Sequence, residues 1–166
     1  PHLREPLAHL RRVEIQFVRG NAGAAANRAL LLAGWLAARL DWACAGGTRH
    51  NAGYLLRCEQ QSGVPFELAL LAVEPDGIPP HEIASVTLEA GPEAERTHLG
   101  LRYEPAHGSI DVHAGGRTWH DWGFEPMDAA AALAEELDYD YDSAYTAALE
   151  WAASILRAVT NQHTEE

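Results

Sequence analysis

The chain contains no lysine: its 12 basic residues are all arginines, set against 24 acidic ones, for a formal net charge of −12 at pH 7. Without lysine there is no Schiff-base chemistry and no lysine for a phosphate-binding loop. Without a basic excess there is no electrostatic footprint for nucleic acid, which is excluded as a partner. Cysteine is scarce as well, with Cys44 and Cys58 alone. Two are too few for a disulfide scaffold and have no zinc spacing. The expectation is a pair of small, core-like thiols in a reducing cytoplasm, a bridge between them being a matter of geometry that the sequence does not give. No stretch approaches the ~18 consecutive apolar residues of a membrane-spanning helix, so no membrane span is expected. Methionine is missing from the first position, where Pro1 stands, and no charged-then-apolar leader follows. The sequence therefore reads as a piece of a longer protein.

What is present suits one domain over residues 1–166, a length that buries about 70% of the surface its unfolded chain would expose. The longest helical run is Asn27 to Trp42. At about 100° per residue, Arg28, Leu32, Trp35 and Arg39 fall on one stripe while Ala33, Ala37 and Leu40 lie roughly opposite. The small face, with Gly34 beside it, can approach a sheet closely, and the Trp35 stripe needs a second cover. Asn21 is a candidate cap for this helix, and Gly46 with Gly47 reads as the loop that follows it.

Strand patterns dominate the middle. Val13, Ile15 and Phe17 alternate with Glu14 and Gln16, a half-buried strand. Tyr54 to Glu59 and Phe66 to Glu74 form a hairpin about Gln61, Ser62 and Gly63, and the second run, apolar on both faces, reads as a central strand. Ile83 to Leu88 and Thr97 to Tyr103 continue a meander. Gly115 and Gly116 between Ile110–Ala114 and Arg117–Asp121 suit a two-residue turn, which pairs Val112 with Trp119 and Asp111 with His120. Leu3, Leu7 and Leu10 recur at helical spacing. Pro126 and Asp128 start a helix through Ala130, Leu133, Ala134 and Leu137. A last helix, from about Ser143 to Val159 with Asp142 as its cap, should bury Tyr145, Leu149, Ala152, Ile155, Leu156 and Val159. The fold class expected is α+β: a mainly antiparallel sheet of about six or seven strands with three helices packed on it.

The hairpin puts Asp111, His113 and His120 on one face, the donor set for an iron or zinc ion with open positions. Nine histidines in so acidic a chain make chance pairs common, and a solvated strand face is the preferred reading. The acidic residues Glu135, Glu136, Asp138, Asp140 and Asp142 straddle a helix end and a helix start, where they serve as caps and dipole partners, and no glycine completes a calcium loop. No serine stands in a Gly-x-Ser-x-Gly context, and Gly-x-Gly phosphate loops are absent. Trp119, His120, Asp121 and Trp122 either pack a sheet edge or offer a platform for a sugar, helped by Arg102 or Arg117.

The run Leu30 to Trp42, preceded by the strand Arg12 to Val18, resembles the C-terminal region of OpcA, the glucose-6-phosphate dehydrogenase assembly protein family. Leu32, Gly34, Trp35, Leu36, Arg39, Leu40 and Trp42 carry the first block. Glu136 and Leu137, then Asp142, Tyr145 and Leu149, carry the second, in which a Glu-Glu-Leu helix leads into an Asp-x-x-Tyr-x-x-Ala-Leu helix. The resemblance implies a non-catalytic protein, the C-terminal piece of a longer chain, that binds glucose-6-phosphate dehydrogenase and supports its assembly or activity in the oxidative pentose phosphate pathway. It implies no cofactor of its own, with Arg28 and Arg39 as candidate partner contacts. The other reading, from the residues, is a module that binds a sugar or sugar phosphate.

Overall fold

The computed structural model describes residues 9–20, 26–78, 82–91, 97–104, 109–114, 117–123 and 143–162. Ten elements follow along the chain: β1 (Leu10–Val18), α1 (Asn27–Leu40), β2 (Ala43–His50), β3 (Gly53–Glu59), β4 (Pro65–Val73), β5 (Ile83–Ala90), β6 (Thr97–Glu104), β7 (Ser109–Ala114), β8 (Arg117–Gly123) and α2 (Ser143–Gln162). The predicted helix at 126–137, with Glu136, Leu137 and Asp142, lies outside the described residues, as do the Leu3 and Leu7 positions and the Gly115–Gly116 turn.

The strands form one sheet in the order β2-β3-β4-β1-β5-β6-β7-β8. Its one parallel pair is β1 with β4, where Val13 stands beside Leu68 and Ile15 beside Leu70. β1 meets β5 antiparallel on its other side, with Val13 opposite Leu88 and Ile15 opposite Val86. The sheet is thus mixed at its centre and antiparallel elsewhere. Sequence patterning located seven of the eight strands. β2 was expected to be a loop, because Gly46 and Gly47 are poor strand residues and none of its side chains is fully buried. It is a strand because β3 pairs with it from Ala43 to His50, with one irregularity between Cys44 and Gly46.

One face of the sheet carries the core. Val13, Ile15 and Phe17 are fully buried there, with Leu56, Leu68 and Leu70 from the neighbouring strands. Each such side chain contributes roughly 1.5–3 kcal/mol relative to full exposure. Helix α1 covers this face with its small side, burying Ala29, Leu30, Ala33, Gly34 and Ala37. Its close neighbour at Gly34 is another helix and not, as expected, the sheet: a Cβ built there would lie 2.6 Å from the carbonyl oxygen of Ala148 in α2. The helix begins after Ala26, which makes no side-chain capping bond, and the expected cap, Asn21, lies outside the described residues. It ends at Asp41, in the left-handed region at φ 52°. There the Trp42 amide donates to the Ala37 carbonyl at 2.9 Å.

Helix α2 buries Ala148, Ala152, Ile155 and Val159, but Tyr145, Leu149 and Leu156 are exposed, against expectation. Trp35 is 43% exposed, so it too is not the core residue that its spacing suggested. The reason is common to all four. α1 and α2 meet through small residues at a close crossing, which leaves the large side chains on the outer sides of the pair. Arg39 lies over the Trp35 ring, 5.8 Å from its centroid, and so covers part of it.

Cys44 and Cys58 are joined by a disulfide. They stand directly opposite one another in the β2–β3 ladder. Both had been expected as free thiols; strand pairing, which a sequence separation of 14 does not reveal, brings them together.

Candidate functional site

The second face of the sheet carries neither α1 nor α2. On β1 the residues that alternate with the core are Arg12, Glu14 and Gln16, all half-buried. They form a small network: the Gln16 amide donates to Glu14 Oε1 at 2.7 Å and the Arg12 guanidinium to Glu14 Oε2 at 3.0 Å. Arg12 also reaches Glu67 Oε1 on β4 at 2.9 Å.

Strand register extends this network sideways. Arg57 on β3 stands beside Glu67, Glu67 beside Arg12, Arg12 beside Glu89 on β5, and Glu89 beside His98 on β6. The result is a line across five strands in which charge alternates from Arg57 to Glu89 and which ends at His98, whose Nδ1 lies 3.9 Å from Glu89 Oε1. A second line runs from Glu14 through Thr87 and Gly100 to His113, and a third from Gln16 through Ser85 and Arg102 to Asp111. Gly100 leaves a shallow floor between its neighbours, since a Cβ there would still be 3.8 Å from His113 Cβ and 3.9 Å from Thr87 Oγ1. Opposite-charge cross-strand pairs of this kind contribute roughly 0.2–1 kcal/mol each. Their larger effect is to hold donors and acceptors at fixed places on a nearly flat surface.

The metal-ligand candidates fall at the far end of this face. Asp111 stands beside Arg102, and His113 beside Gly100 and Thr118. Val112 opposes Trp119, but the ladder shifts between Ile110 and Val112, and this irregularity interrupts the expected pairing of Asp111 with His120. Among the described residues no three His, Cys, Asp or Glu side chains gather to hold a metal ion. Arg28 pairs with Glu82 at the surface, and Arg39 lies over the Trp35 ring. Arg12, Glu67 and Glu89 were not singled out from the sequence. Their signal was there, as the polar half of the strand alternation, but only the register shows that they form a line.

Its fold matches oxidoreductases. The chain is similar to the 3-ketoreductase KijD10 from Actinomadura kijaniata in complex with NADP, at 14% identity and a TM-score of 0.54, covering 95% of this chain and 55% of that one. It is also similar to the UDP-N-acetylglucosamine 3-dehydrogenase GnnA from Acidithiobacillus ferrooxidans, at 13% identity and a TM-score of 0.51, covering 91% of this chain and 54% of that one. The chain thus spans about 55% of the length of these structures. No family model matches the sequence, and no curated protein matches it.

These findings correct the resemblance to the dehydrogenase assembly family. No family model or curated protein supports it, and the solved structures that share the fold are oxidoreductases. The expectations of a non-catalytic effector and of a chain with no enzymatic role fall with it. Their physical basis was narrow. Leu and Trp at helical spacing, with small residues between, recur wherever a helix packs against a sheet and a second helix.

A dinucleotide does not fit these residues. The sequence has no Gly-x-Gly-x-x-Gly fingerprint, and among the described residues the sheet is antiparallel apart from β1 with β4, not the parallel βαβ sheet on which such a site is built. No step involving a nicotinamide cofactor is derived for this chain. Among the described residues no helix is long and apolar enough to cross a membrane.

Proposed function

We propose that this chain is the substrate-facing α+β half of an oxidoreductase, and that its uncovered sheet face receives a polyhydroxylated, sugar-type substrate. The observation that carries the reading is the cross-strand array of Arg12, Glu14, Gln16, Glu67 and Glu89, in which carboxylate, guanidinium and amide groups already hold one another in place. Vicinal hydroxyls are donor and acceptor at once, and paired planar groups of both kinds are what meet them. The array sets one arginine against three carboxylates, which suits the hydroxyls of a sugar ring better than a bare phosphate in a chain of net charge −12. Fold likeness to a 3-ketoreductase and to a nucleotide-sugar dehydrogenase supports the same reading. Hydride chemistry belongs to the part of such an enzyme to which these residues have no counterpart.

Amide chemical-shift mapping tests this directly. Titration with UDP-N-acetylglucosamine and with the free sugar should shift resonances of Arg12, Glu14, Gln16 and Thr87, and Glu14→Ala should weaken binding about tenfold, the loss of a charged hydrogen-bonding group. Shifts confined to the helix layer, or none at millimolar ligand, would remove the proposal.

A further inference from the structure

We propose that the Cys44–Cys58 bridge is a reversible redox latch that holds the edge strand β2 on the sheet. β2 ends the strand order, so only β3 pairs with it. None of its side chains is fully buried, and it carries Gly46 and Gly47 in mid-strand. Glycines lose more freedom than other residues when ordered, so this strand has little of its own to hold it. The ladder is also broken between Cys44 and Gly46, which leaves Ala45 without a place in it.

The two ends of β2 are fastened differently. At one end a tight turn joins it to β3, with Asn51 in the left-handed region at φ 52° and Gly53 packed against the Leu70 carbonyl, where no side chain would fit. At the other end the disulfide joins β2 to β3, beside the Ala43–Glu59 pair, and helix α2 packs against the strand. Trp42, just before that end, is buried against Phe66, with ring centroids 4.9 Å apart. Its indole N–H has no acceptor among the described residues, so its side chain is held there by packing alone. Between the two ends a cavity of about 450 Å³ lies beside Gly46, Gly47 and Thr48, bounded by Arg57 and Glu67. Arg57 and Glu67 also begin the line of alternating charge. The bridge itself lies on the core face, with Cys58 in the cluster that holds Leu56, Phe66 and Trp42, while Arg57 and Glu67 occupy the alternate positions of the same strands.

The two residues are unequally exposed: Cys44 is half-buried, while Cys58 is 4% exposed. A dithiol reductant attacks Cys44 Sγ as its thiolate. The Cys44–Cys58 bond breaks, a mixed disulfide forms at Cys44, and Cys58 leaves as a thiolate that takes up a proton. The reductant's second thiol then displaces Cys44. Two electrons and two protons pass to the protein, and the reductant becomes a disulfide.

Hydrogen exchange followed by mass spectrometry, on the oxidised chain and after dithiothreitol under native conditions, tests the latch. Reduction should speed exchange across β2 at least tenfold, leave β1 and β5 protected, and reverse on reoxidation. The double variant Cys44→Ser, Cys58→Ser should match the reduced chain whether or not reductant is present. A bond that resists dithiothreitol until the chain unfolds would overturn the proposal. So would unchanged β2 exchange on reduction, or faster exchange throughout the sheet, which marks a structural staple. Because wild-type chain is cycled in both directions, the test stands even if the double variant does not fold. It reads backbone protection alone, so its outcome is independent of the sugar-binding reading.

Discussion

Gly34 and Trp35 are adjacent and have opposite consequences. Gly34 faces the Ala148 backbone, with no room for a methyl group at 2.6 Å from the carbonyl oxygen. Gly34→Ala gains helix propensity of about 1 kcal/mol. The clash is with backbone, which cannot rotate away, and overpacking of this kind costs about 1–3 kcal/mol. The clash should win, and chemical denaturation should show a net loss of stability. Trp35→Ala should cost about 1 kcal/mol or less, because its ring is 43% exposed and its identified partner is the Arg39 guanidinium. Ile155→Ala in α2, at 2% exposure, should cost about 2–5 kcal/mol. Denaturant midpoints for the last two variants check the order, and a Trp35 variant as damaging as the Ile155 variant would contradict the packing described.

At the scale of elements, period alone was enough to place most strands and both described helices. Val13, Ile15 and Phe17 against Glu14 and Gln16 gave β1, and Ala148, Ala152, Ile155 and Val159 gave the buried side of α2. Three things were not legible. β2 has no apolar alternation to detect, since what makes it a strand is the unpaired edge of β3. The exposed side of the helix pair was hidden because α1 is apolar nearly all round, so its sequence does not say which apolar side faces out. The line from Arg57 to His98 was invisible because each member lies on a different strand, and only pairing, which joins residues far apart in sequence, puts them side by side. The disulfide was missed for the same reason.

Over the whole molecule, charge is unbalanced at −12 while the uncovered face is locally paired. Salt acts on both, in opposite directions. Screening weakens the exposed pairs, which are worth about 0–1 kcal/mol each, and relieves repulsion summed over the entire surface. The second effect should prevail, so the melting temperature should rise between about 20 and 200 mM sodium chloride; a fall would mean that the ladder carries more of the stability than its exposure suggests. The placement of β1 has a consequence for how such a molecule assembles. β2, β3 and β4 can close on one another through short connections, and so can β5 through β8. Neither group touches the other in the strand order except through β1. Its two pairings close long loops, Val13 with Leu68 and with Leu88, and long loops form late because their closure entropy comes before any contact rewards it. β1 is thus the last of the described strands to be seated, and the sheet becomes a single cooperative unit only when it arrives.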